Sequence, residues 1–478
     1  MSELLARGTP QGRRTLATVT LGSGIALLDG TVVNIAVKPI GLDLGARLGQ
    51  LQWVVNGYML ALASLILVGG SLGDRLGRRR VYVVGVAGFG VASALCAAAQ
   101  DPSQLIVLRV VQGVFAALLT PGSLSILQST FRPEDRAAAI GTWAGVSGIA
   151  AAAGPLVGGF LIDHGGWRWI FAINVPLCAI VVALAREIPE SRDRGAARRL
   201  DVPGAVAGVL ALAATTYVLT SWRTVGVVSA IVGALLALLL WFGFVRLERR
   251  RNAMLPLELF GSRVFVAANL MTFLVYGALG AALFFLVLQL QVTSGYGPIG
   301  AGLASLPITV AMLLLSSRMA VLAQRTGPRL PMSIGPLVCA AGIALLAGVD
   351  AHAPYWTHVF PGITVFALGL TTLVAPPTSA VLAAAPDRHA GVASGVNNAV
   401  ARTGSLLAVA ALPAAVGLTG DDYQHPSILT TGYAHAQLIC SVLLALGGVI
   451  SWFGLREGAV TDDEGLPALP PAGEDHDD

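Results

Sequence analysis

The stretch GGSLGDRLGRRR, residues 69–80, is a short charged loop between two apolar runs. It carries one carboxylate, Asp74, and four arginines that all follow it. A hydrophilic segment this short, flanked by runs of about 20 apolar residues, is typical of a loop between two membrane-spanning helices. A related segment, LAQRTGPR at 322–329, lies between two later runs and matches Leu72–Arg79 at four of eight positions. The two loops predict a chain built from two related halves.

The rest of the chain continues this pattern. Of its 478 residues, 55% are hydrophobic and 12% are charged, about half the charged fraction of a soluble domain. The first apolar run is too long for a signal peptide, so we interpret it as the first span. The sequence therefore predicts an all-α polytopic membrane protein with fourteen transmembrane helices. Their predicted ranges are 15–37, 51–71, 81–99, 104–126, 137–161, 168–186, 203–221, 226–245, 264–291, 298–317, 331–349, 357–383, 391–417 and 433–455.

The distribution of cations predicts the orientation of these helices. Both termini and the loops on their side carry 24 lysines and arginines, whereas the loops on the other side carry four. Positive residues accumulate on the cytoplasmic side of membrane proteins. We therefore expect a multi-pass protein of the plasma (inner) membrane with both termini in the cytoplasm.

Hydrophilic segments predict the domain organisation. We expect an N-terminal six-helix bundle at 1–190, a linker with two inserted helices at 191–262, a C-terminal six-helix bundle at 263–456 and a disordered acidic tail at 457–478. No room remains for a soluble catalytic domain, and the sequence has no phosphate-binding loop, zinc-ligand spacing or Ser/His/Asp arrangement. These features argue against an enzyme, an ATP-driven pump, a metal site and a nucleic-acid partner.

Several sequence blocks, the charged loop among them, follow one another along the chain. They are LDGTVVNIAV (28–37), GSLGDRLGRRR (70–80), LRVVQGVFAA (108–117), GPLVGGFL (154–161), WRWIFAINVP (167–176), LDVPGA (200–205) and VNNAVARTG (396–404). With these blocks the chain resembles the major facilitator superfamily, specifically its fourteen-span drug–proton antiporter family, over nearly its full length. The resemblance implies a major facilitator fold, with two six-helix bundles plus two inserted helices. It also implies efflux of lipophilic, often cationic, drugs or antibiotics by alternating access, with the proton gradient as energy source, no cofactor, membrane lipids around it and a monomeric state.

Two opposite charges are predicted to lie at similar depth in the membrane. Asp29 follows Arg14 by 15 residues, or ~22 Å of helix, and Arg109 lies five residues into the fourth span, which enters from the other side. Ionisable residues within spans usually mark ion or substrate pathways, and the family's first-span block agrees. We expect Asp29 and Arg109 to couple proton movement to transport; a permanent structural ion pair is the alternative.

A third charge, Arg402, lies near the middle of the thirteenth span, about a turn after Asn397. It could contact an anionic substrate group, or it could join helices by hydrogen bonds to carbonyls and amides. Other polar and aromatic residues of the spans are candidates for the substrate cavity, because polar side chains within spans usually face the bundle interior. Each of them could equally be a hydrogen-bond partner between helices. These candidates are Asn34, Trp53, Asn56, Tyr58, Gln112, Phe285, Gln289, Gln291 and Asn398.

Two motifs are expected to control the conformational change. The resemblance implies that a gating loop latches the two halves in the outward-facing state, with a solvated positive loop as the alternative. Its residues are Gly70, Asp74, Arg75, Gly77, Arg78 and Arg79. An antiporter motif in the fifth span removes side-chain bulk and permits close helix approach. We expect this approach to serve conformational switching and sealing against proton leak. Ordinary tight packing of helices is the alternative interpretation. The residues of this motif are Gly154, Pro155, Gly158 and Gly159.

Three other functions remain open from the sequence. A lipid or lysolipid translocase would use the same fold, and a metabolite importer would use proton symport. A non-transporting membrane sensor would need a signalling domain, which the sequence does not show.

Overall fold

The computed structural model describes residues 4–192, 201–250, 255–373, 376–385 and 390–455. Within these ranges the chain forms seventeen α-helices, with short 3₁₀ and π-helical turns and one isolated β-bridge between Leu5 and Phe131. The helices are α1 (Pro10–Leu44), α2 (Leu48–Leu76), α3 (Arg78–Ala97), α4 (Pro102–Thr130), α5 (Pro133–Gly165), α6 (Trp169–Ala172), α7 (Asn174–Leu184), α8 (Val202–Ser221), α9 (Val227–Glu248), α10 (Arg263–Val292), α11 (Pro298–Ala304), α12 (Leu306–Thr326), α13 (Arg329–Leu346), α14 (Phe360–Thr371), α15 (Pro376–Ala383), α16 (Ala390–Ala415) and α17 (Pro426–Gly454).

The all-α membrane fold predicted from the sequence is confirmed, with a difference in how two spans are built. In the described part of the chain, twelve helical segments are long and apolar enough to cross a membrane. The predicted twelfth span is instead divided between the short helices α14 and α15. The predicted thirteenth span is the 26-residue α16, whose hydropathy is lowered by Asn397, Asn398 and Arg402. Within the described residues, twelve of the fourteen predicted spans thus correspond to long apolar helical segments, and the other two depart from that pattern.

Local sequence explains where the helices begin and end. The Thr9 side chain accepts a hydrogen bond from Gly12 N at the start of α1, and Asp101 does the same for Gln104 N at the start of α4. Such side chains satisfy backbone N–H groups that have no partner inside the helix. At the other end, α1 stops at Gly45, whose φ of +62° suits a residue without a Cβ atom.

The helices pack in two groups. The helices α1 to α7 contact one another mainly through α2 with α4, α1 with α5 and α3 with α4, and α10 to α17 pack mainly through α10 with α16 and α17 and through α13 with α14 and α17. The inserted helix α8 contacts both α2 and α16, and α9 packs on α8 with little of its own surface buried. The inserted pair therefore lies at the edge of the seam between the halves. The predicted acidic tail at 457–478 lies outside the described residues.

The two ends of the helices are named here by their loops. The arginine-rich side carries residues 77–80, 131–132 and 186–192, and the opposite side carries residues 45–47 and 166–168. Consecutive long helices run in opposite directions, so successive loops lie alternately on the arginine-rich side and on the opposite side. This alternation is the arrangement on which the predicted orientation rests.

The two halves are joined by hydrogen bonds that cluster toward the opposite side. Lys38 Nζ donates to the Gln291 carbonyl (2.6 Å), and Gln291 Nε2 donates in return to the Ile35 carbonyl (2.9 Å). The Tyr423 hydroxyl donates to the Ala46 carbonyl (2.9 Å), so the loops of the two halves also meet. Further hydrogen bonds between the halves join Leu48 to Gly420, Gln52 to Val409 and Ala410, Ile299 to Asp163, and Thr309 to Ala152. The seam is therefore closed on the opposite side.

Candidate functional site

Asp29 lies in the middle of α1 with 0% of its surface exposed. Its Oδ2 atom accepts a hydrogen bond from Arg109 Nη1 (2.6 Å). Its Oδ1 atom accepts from Gln112 Nε2 (3.1 Å) and from Asn174 Nδ2 (2.9 Å). An ionised carboxylate is an acceptor only, and three donors from two other helices satisfy it. The structure thus brings together the two charges that the sequence placed at one depth.

The Arg109 guanidinium is held as firmly as its partner. It is 1% exposed, and besides Asp29 its Nη1 donates to Gln112 Oε1 (2.6 Å) while its Nε donates to the Val54 carbonyl (3.1 Å). The guanidinium carbon lies 4.4 Å from the centroid of the Tyr58 ring, a cation–π distance. The Tyr58 ring is itself fixed, because its hydroxyl donates to the Ala26 carbonyl (3.1 Å). Charge and ring therefore form one buried cluster.

Two members of this cluster were not among the sequence candidates. Asn174, at the start of α7, donates to Asp29, and Ser93 of α3 accepts from Gln112 Nε2 (2.8 Å) and from Asn174 Nδ2 (3.3 Å). Asn174 lies within the WRWIFAINVP block, so that block offered a signal for it. Ser93 lies in an otherwise unremarked apolar run, and small hydroxyl residues are common in spans, so no signal pointed to it.

The antiporter motif holds α5 against α1. A Cβ atom at Gly154 would collide with Thr31 Oγ1, and one at Gly158 would collide with a methyl group of Val32. Thr31 Oγ1 also donates to the Ala151 carbonyl (3.0 Å). Since Thr31 and Val32 follow Asp29 within one turn, the close approach of α5 positions the stretch of α1 that carries the carboxylate.

The same motif also holds α5 against the C-terminal half. A Cβ atom at Gly159 would lie 2.5 Å from the Pro298 carbonyl oxygen, at the start of α11. A Cβ atom at Gly302, one turn into α11, would collide with the Pro155 carbonyl oxygen. Glycines on both helices are therefore needed for this contact, which belongs to the closed part of the seam.

The gating loop is bound to the N-terminal half in this structure. Asp74 Oδ1 lies 2.8 Å from Arg78 Nη2 in an ion pair one turn along the chain. Arg79 donates through its backbone N to Glu190 Oε1 (3.1 Å) and through Nη1 to the Ile188 carbonyl (3.1 Å). The loop therefore packs on the segment that follows the sixth span.

Backbone geometry explains one glycine of that loop, Gly77, and does not require the other, Gly70. Gly77 has a φ of +115°, a conformation that residues with a Cβ atom rarely adopt, and a Cβ atom there would lie 2.7 Å from Glu190 Oε1. Gly70 faces Pro121 of α4, where a Cβ atom would make an ordinary contact at 3.6 Å. Arg75 Nε is buried without a hydrogen-bond partner among the described residues.

The remaining cavity candidates lie in different surroundings. Gln289 donates to the Val349 carbonyl (3.0 Å) and to Thr430 Oγ1 (3.0 Å), so it joins helices and a loop of the C-terminal half. Gln291 belongs to the closed seam, as described above. Phe285 is buried beside Phe284, with ring centroids 5.7 Å apart. Trp53 packs in a cluster with Leu212 and Trp241 of the inserted helices. For Gln289 and Gln291, the contacts match the interhelical interpretation.

Three candidates have polar groups without partners in the described structure. Asn56 is 1% exposed, and neither its Oδ1 nor its Nδ2 has a hydrogen bond. Asn34 Oδ1 is likewise buried without a partner. Arg402 is half-buried and makes no hydrogen bond or ion pair with any described residue. Asn398, one turn earlier on α16, is exposed and donates to its own helix.

A sequence profile described as the Major Facilitator Superfamily matches residues 19–203 and 203–409. The chain belongs to the major facilitator superfamily. Puromycin resistance protein pur8 of Streptomyces alboniger is 34% identical over 476 residues, covering 96% of this chain and 94% of the relative. The tetracenomycin C resistance and export protein of Streptomyces glaucescens is 33% identical over 476 residues, covering 96% and 83%. These names fit the drug–proton antiporter family of the superfamily.

Solved transporter structures agree on the fold of this major facilitator protein. A bacterial homologue of the human lysosomal transporter Spinster, in an inward-facing and unoccupied conformation, superposes with a TM-score of 0.65 at 16% identity. The match covers 94% of this chain and 97% of that one. At this identity the likeness concerns the fold alone.

Proposed function

We propose that this protein is a proton-coupled antiporter that exports lipophilic small molecules, including antibiotics, by alternating access. It acts as a monomer in the plasma membrane with both termini in the cytoplasm, has no enzymatic activity and needs no cofactor. The resistance and export proteins among its relatives support the substrate class. The buried Asp29–Arg109 pair, with three donors on the carboxylate, is the observation that carries the proposal.

The geometry of Asp29 couples a proton to a movement. Every hydrogen-bond contact to the carboxylate comes from an N–H donor on Arg109, Gln112 or Asn174. A protonated carboxyl carries an O–H donor, which cannot face another donor. A proton that binds at a position facing one of these donors displaces that side chain, and a proton at the remaining lone-pair position of Oδ2 still removes the negative charge that holds the Arg109 guanidinium. Because these donors lie on α4 and α7, protonation changes how α1 packs against both helices.

The closed seam suggests which state the structure represents. Under the proposed orientation the opposite side faces outward, so the hydrogen bonds around Lys38 and Gln291 close the outer end. The α5–α11 contact through Gly159 supports the same closure. In the outward-facing state these contacts would separate, and the gating loop would latch the arginine-rich side instead. Sealing of the outer end by the antiporter motif would prevent proton leak while the substrate loads.

The test is transport in proteoliposomes containing the full-length protein, with an imposed pH gradient and with ethidium and tritiated puromycin as probes. The wild type is expected to move at least one probe against its gradient only when the pH gradient is present. Asp29→Asn is expected to reduce this coupled transport at least tenfold. Asp43→Asn is the matched control, because Asp43 lies on the same helix but is half-exposed and pairs with Arg168 (2.7 Å).

The outcome that would overturn the proposal is transport of these probes that ignores the pH gradient, or coupled transport that survives in Asp29→Asn. If that variant is poorly folded, the double variant Asp29→Asn/Arg109→Gln removes both charges and keeps the test available. Retention of coupled transport by a well-folded double variant would place the coupling group elsewhere.

A further inference from the structure

The central charges of the described spans do not cancel. Asp29 and Arg109 form a pair with no net charge, and both carboxylate oxygens are already occupied by donors. Among the described residues, Arg402 is the remaining charged side chain that lies well inside one of the predicted spans, so one positive charge is left over. Three of the roughly four lone-pair positions of the Asp29 carboxylate are occupied and Arg109 compensates its charge, whereas the five N–H donors of the Arg402 guanidinium have no described partner.

Arg402 lies deep in the protein. It is 12 residues from the start of α16, or ~18 Å along the helix. It belongs to the C-terminal half, yet Ala399, about one turn before it on α16, packs against the hydrophobic cluster of the N-terminal half that contains Tyr58. Arg402 therefore lies at the seam between the two halves, and not in a loop. It is half-buried, so part of its surface remains accessible.

An unpaired guanidinium at this depth requires an explanation. A charge within a span is costly and normally finds a counter-charge, backbone carbonyls or a water-filled cavity. Arg402 has no counter-charge and donates to no carbonyl among the described residues, which argues against the interhelical clamp. Its surroundings instead include Tyr276, which is 39% exposed and whose neighbour Gly277 packs on Gly404 of α16, and the exposed amide of Asn398 one turn away. Flat aromatic surface and polar tips around a free guanidinium suit a planar molecule that carries an anionic oxygen.

We infer that Arg402 is the anchoring group for substrates that carry a carboxylate or phenolate on an aromatic body. This inference rests on the proposed export function and narrows its substrate class from cations toward anions. The anionic oxygen would accept hydrogen bonds from the Arg402 guanidinium, and the aromatic body would lie against the exposed ring of Tyr276. Asp29 would stay paired with Arg109 while the substrate binds.

The test compares two probes that differ only in charge, anthraquinone-2-carboxylate and anthraquinone-2-carboxamide. Binding to the full-length protein in lipid nanodiscs is measured by equilibrium dialysis. The wild type is expected to bind the carboxylate at least tenfold more tightly than the carboxamide. Arg402→Gln is expected to bring the two affinities within twofold by weakening carboxylate binding alone, and Arg402→Lys is expected to retain part of the preference. Arg223→Gln is the control, because Arg223 stacks on Trp222 outside the predicted spans.

Loss of Arg402 leaves no described partner unsatisfied, so Arg402→Gln is expected to fold, which size-exclusion chromatography checks. Equal affinity for both probes in the wild type, or a carboxylate preference that survives in Arg402→Gln, overturns the inference. Transport driven by the pH gradient is measured in parallel, so the two proposals can fail separately. Coupled export of ethidium without any carboxylate preference rejects the anion site and leaves antiport standing. An Arg402-dependent preference with no response of transport to the pH gradient supports the anion site and rejects antiport.

Discussion

Asp29 and Arg109 are each almost fully buried with a charge, which a membrane interior tolerates only when the charges compensate each other. The hydrogen bonds that Gln112 and Asn174 donate to Asp29, and the one that Arg109 donates to the Val54 carbonyl, complete that compensation. Removing one charge is therefore a different perturbation from removing both. This difference distinguishes a cooperative pair from two independent polar residues.

We expect Arg109→Gln to destabilise the protein by about 3–5 kcal/mol, because it leaves the Asp29 charge without a counter-charge. Adding Asp29→Asn to that variant is expected to recover part of the loss. Thermal unfolding of the purified protein in detergent, arranged as a double-mutant cycle, measures the coupling. Effects that add to within about 0.5 kcal/mol would show that the two residues do not act as a pair.

Asn56 provides a second test at the residue scale. Its amide is buried with no hydrogen bond in the described structure, which costs about 1–3 kcal/mol for such a group. Asn56→Leu is therefore expected to raise the thermal midpoint of this conformation. The matched control is Asn174→Leu, which removes an equally buried amide that donates to Asp29 and is expected to lower the midpoint. A similar loss in both variants would contradict the assignment of Asn56 as unpartnered.

Helix α5 connects the two halves, because it contacts α1 on one face and α11 on another. Glycines make both contacts possible, with Gly154 and Gly158 toward α1 and Gly159 toward α11. Packing of this kind depends on close backbone approach and not on a hydrophobic driving force, since lipid tails are as apolar as leucine. A single methyl group can therefore separate the two halves.

Gly159→Ala is expected to force α5 away from α11 and weaken closure of the opposite side by about 1–3 kcal/mol. Spin labels introduced at Gln100 and His352 report the separation of the two halves on that side. The distance distribution is expected to shift to longer values in Gly159→Ala. Gly141→Ala is the matched control, because a Cβ atom there meets nothing within 4 Å. An unchanged distance distribution in Gly159→Ala would show that the added methyl group does not push α5 and α11 apart.

At the scale of the whole molecule, closure of one side rests on a small number of polar contacts. Lys38 donates to the Gln291 carbonyl across the seam, the Gln291 side chain donates to the Ile35 carbonyl, and the Tyr423 hydroxyl donates to the Ala46 carbonyl. Each such contact is worth on the order of 1–2 kcal/mol, comparable to the free-energy differences between alternating states. The closed state is therefore open to perturbation by single substitutions.

Lys38→Met keeps the apolar stem of the side chain but removes its hydrogen bond to the Gln291 carbonyl. We expect the population open on the opposite side to rise about fivefold to thirtyfold, which the same pair of spin labels measures. Arg168→Met is the matched control, because its ion pair with Asp43 lies within one half. An equal rise of the open population in both variants would mean that loss of positive charge on that side causes the opening, and not loss of the hydrogen bond across the seam.

Particular residues show how far the sequence could be read. The depths of Asp29 and Arg109 followed from counting residues along helices, and the structure pairs them. The structure begins α1 and α4 a few residues before the predicted spans, where Thr9 and Asp101 cap them. By contrast, Gln289 and Gln291 were indistinguishable in the sequence, yet one joins parts of the C-terminal half and the other joins the two halves. Ser93 carried no signal, although it bonds to two members of the ion-pair cluster.

The sequence by itself determined the apolar helices, the unequal cations of the two sides, the repeated loops and the three charges within spans. These properties can be read segment by segment, because the hydropathy and charge of a segment do not depend on which other segments lie beside it. The tertiary structure alone decided which side of the seam is closed, which polar side chains meet Asp29, and that Arg402 is left without a partner. Those outcomes depend on how each helix is rotated and which helix lies beside it. Rotation is selected by packing between distant segments, such as Gly159 against Pro298, and no local pattern encodes that contact.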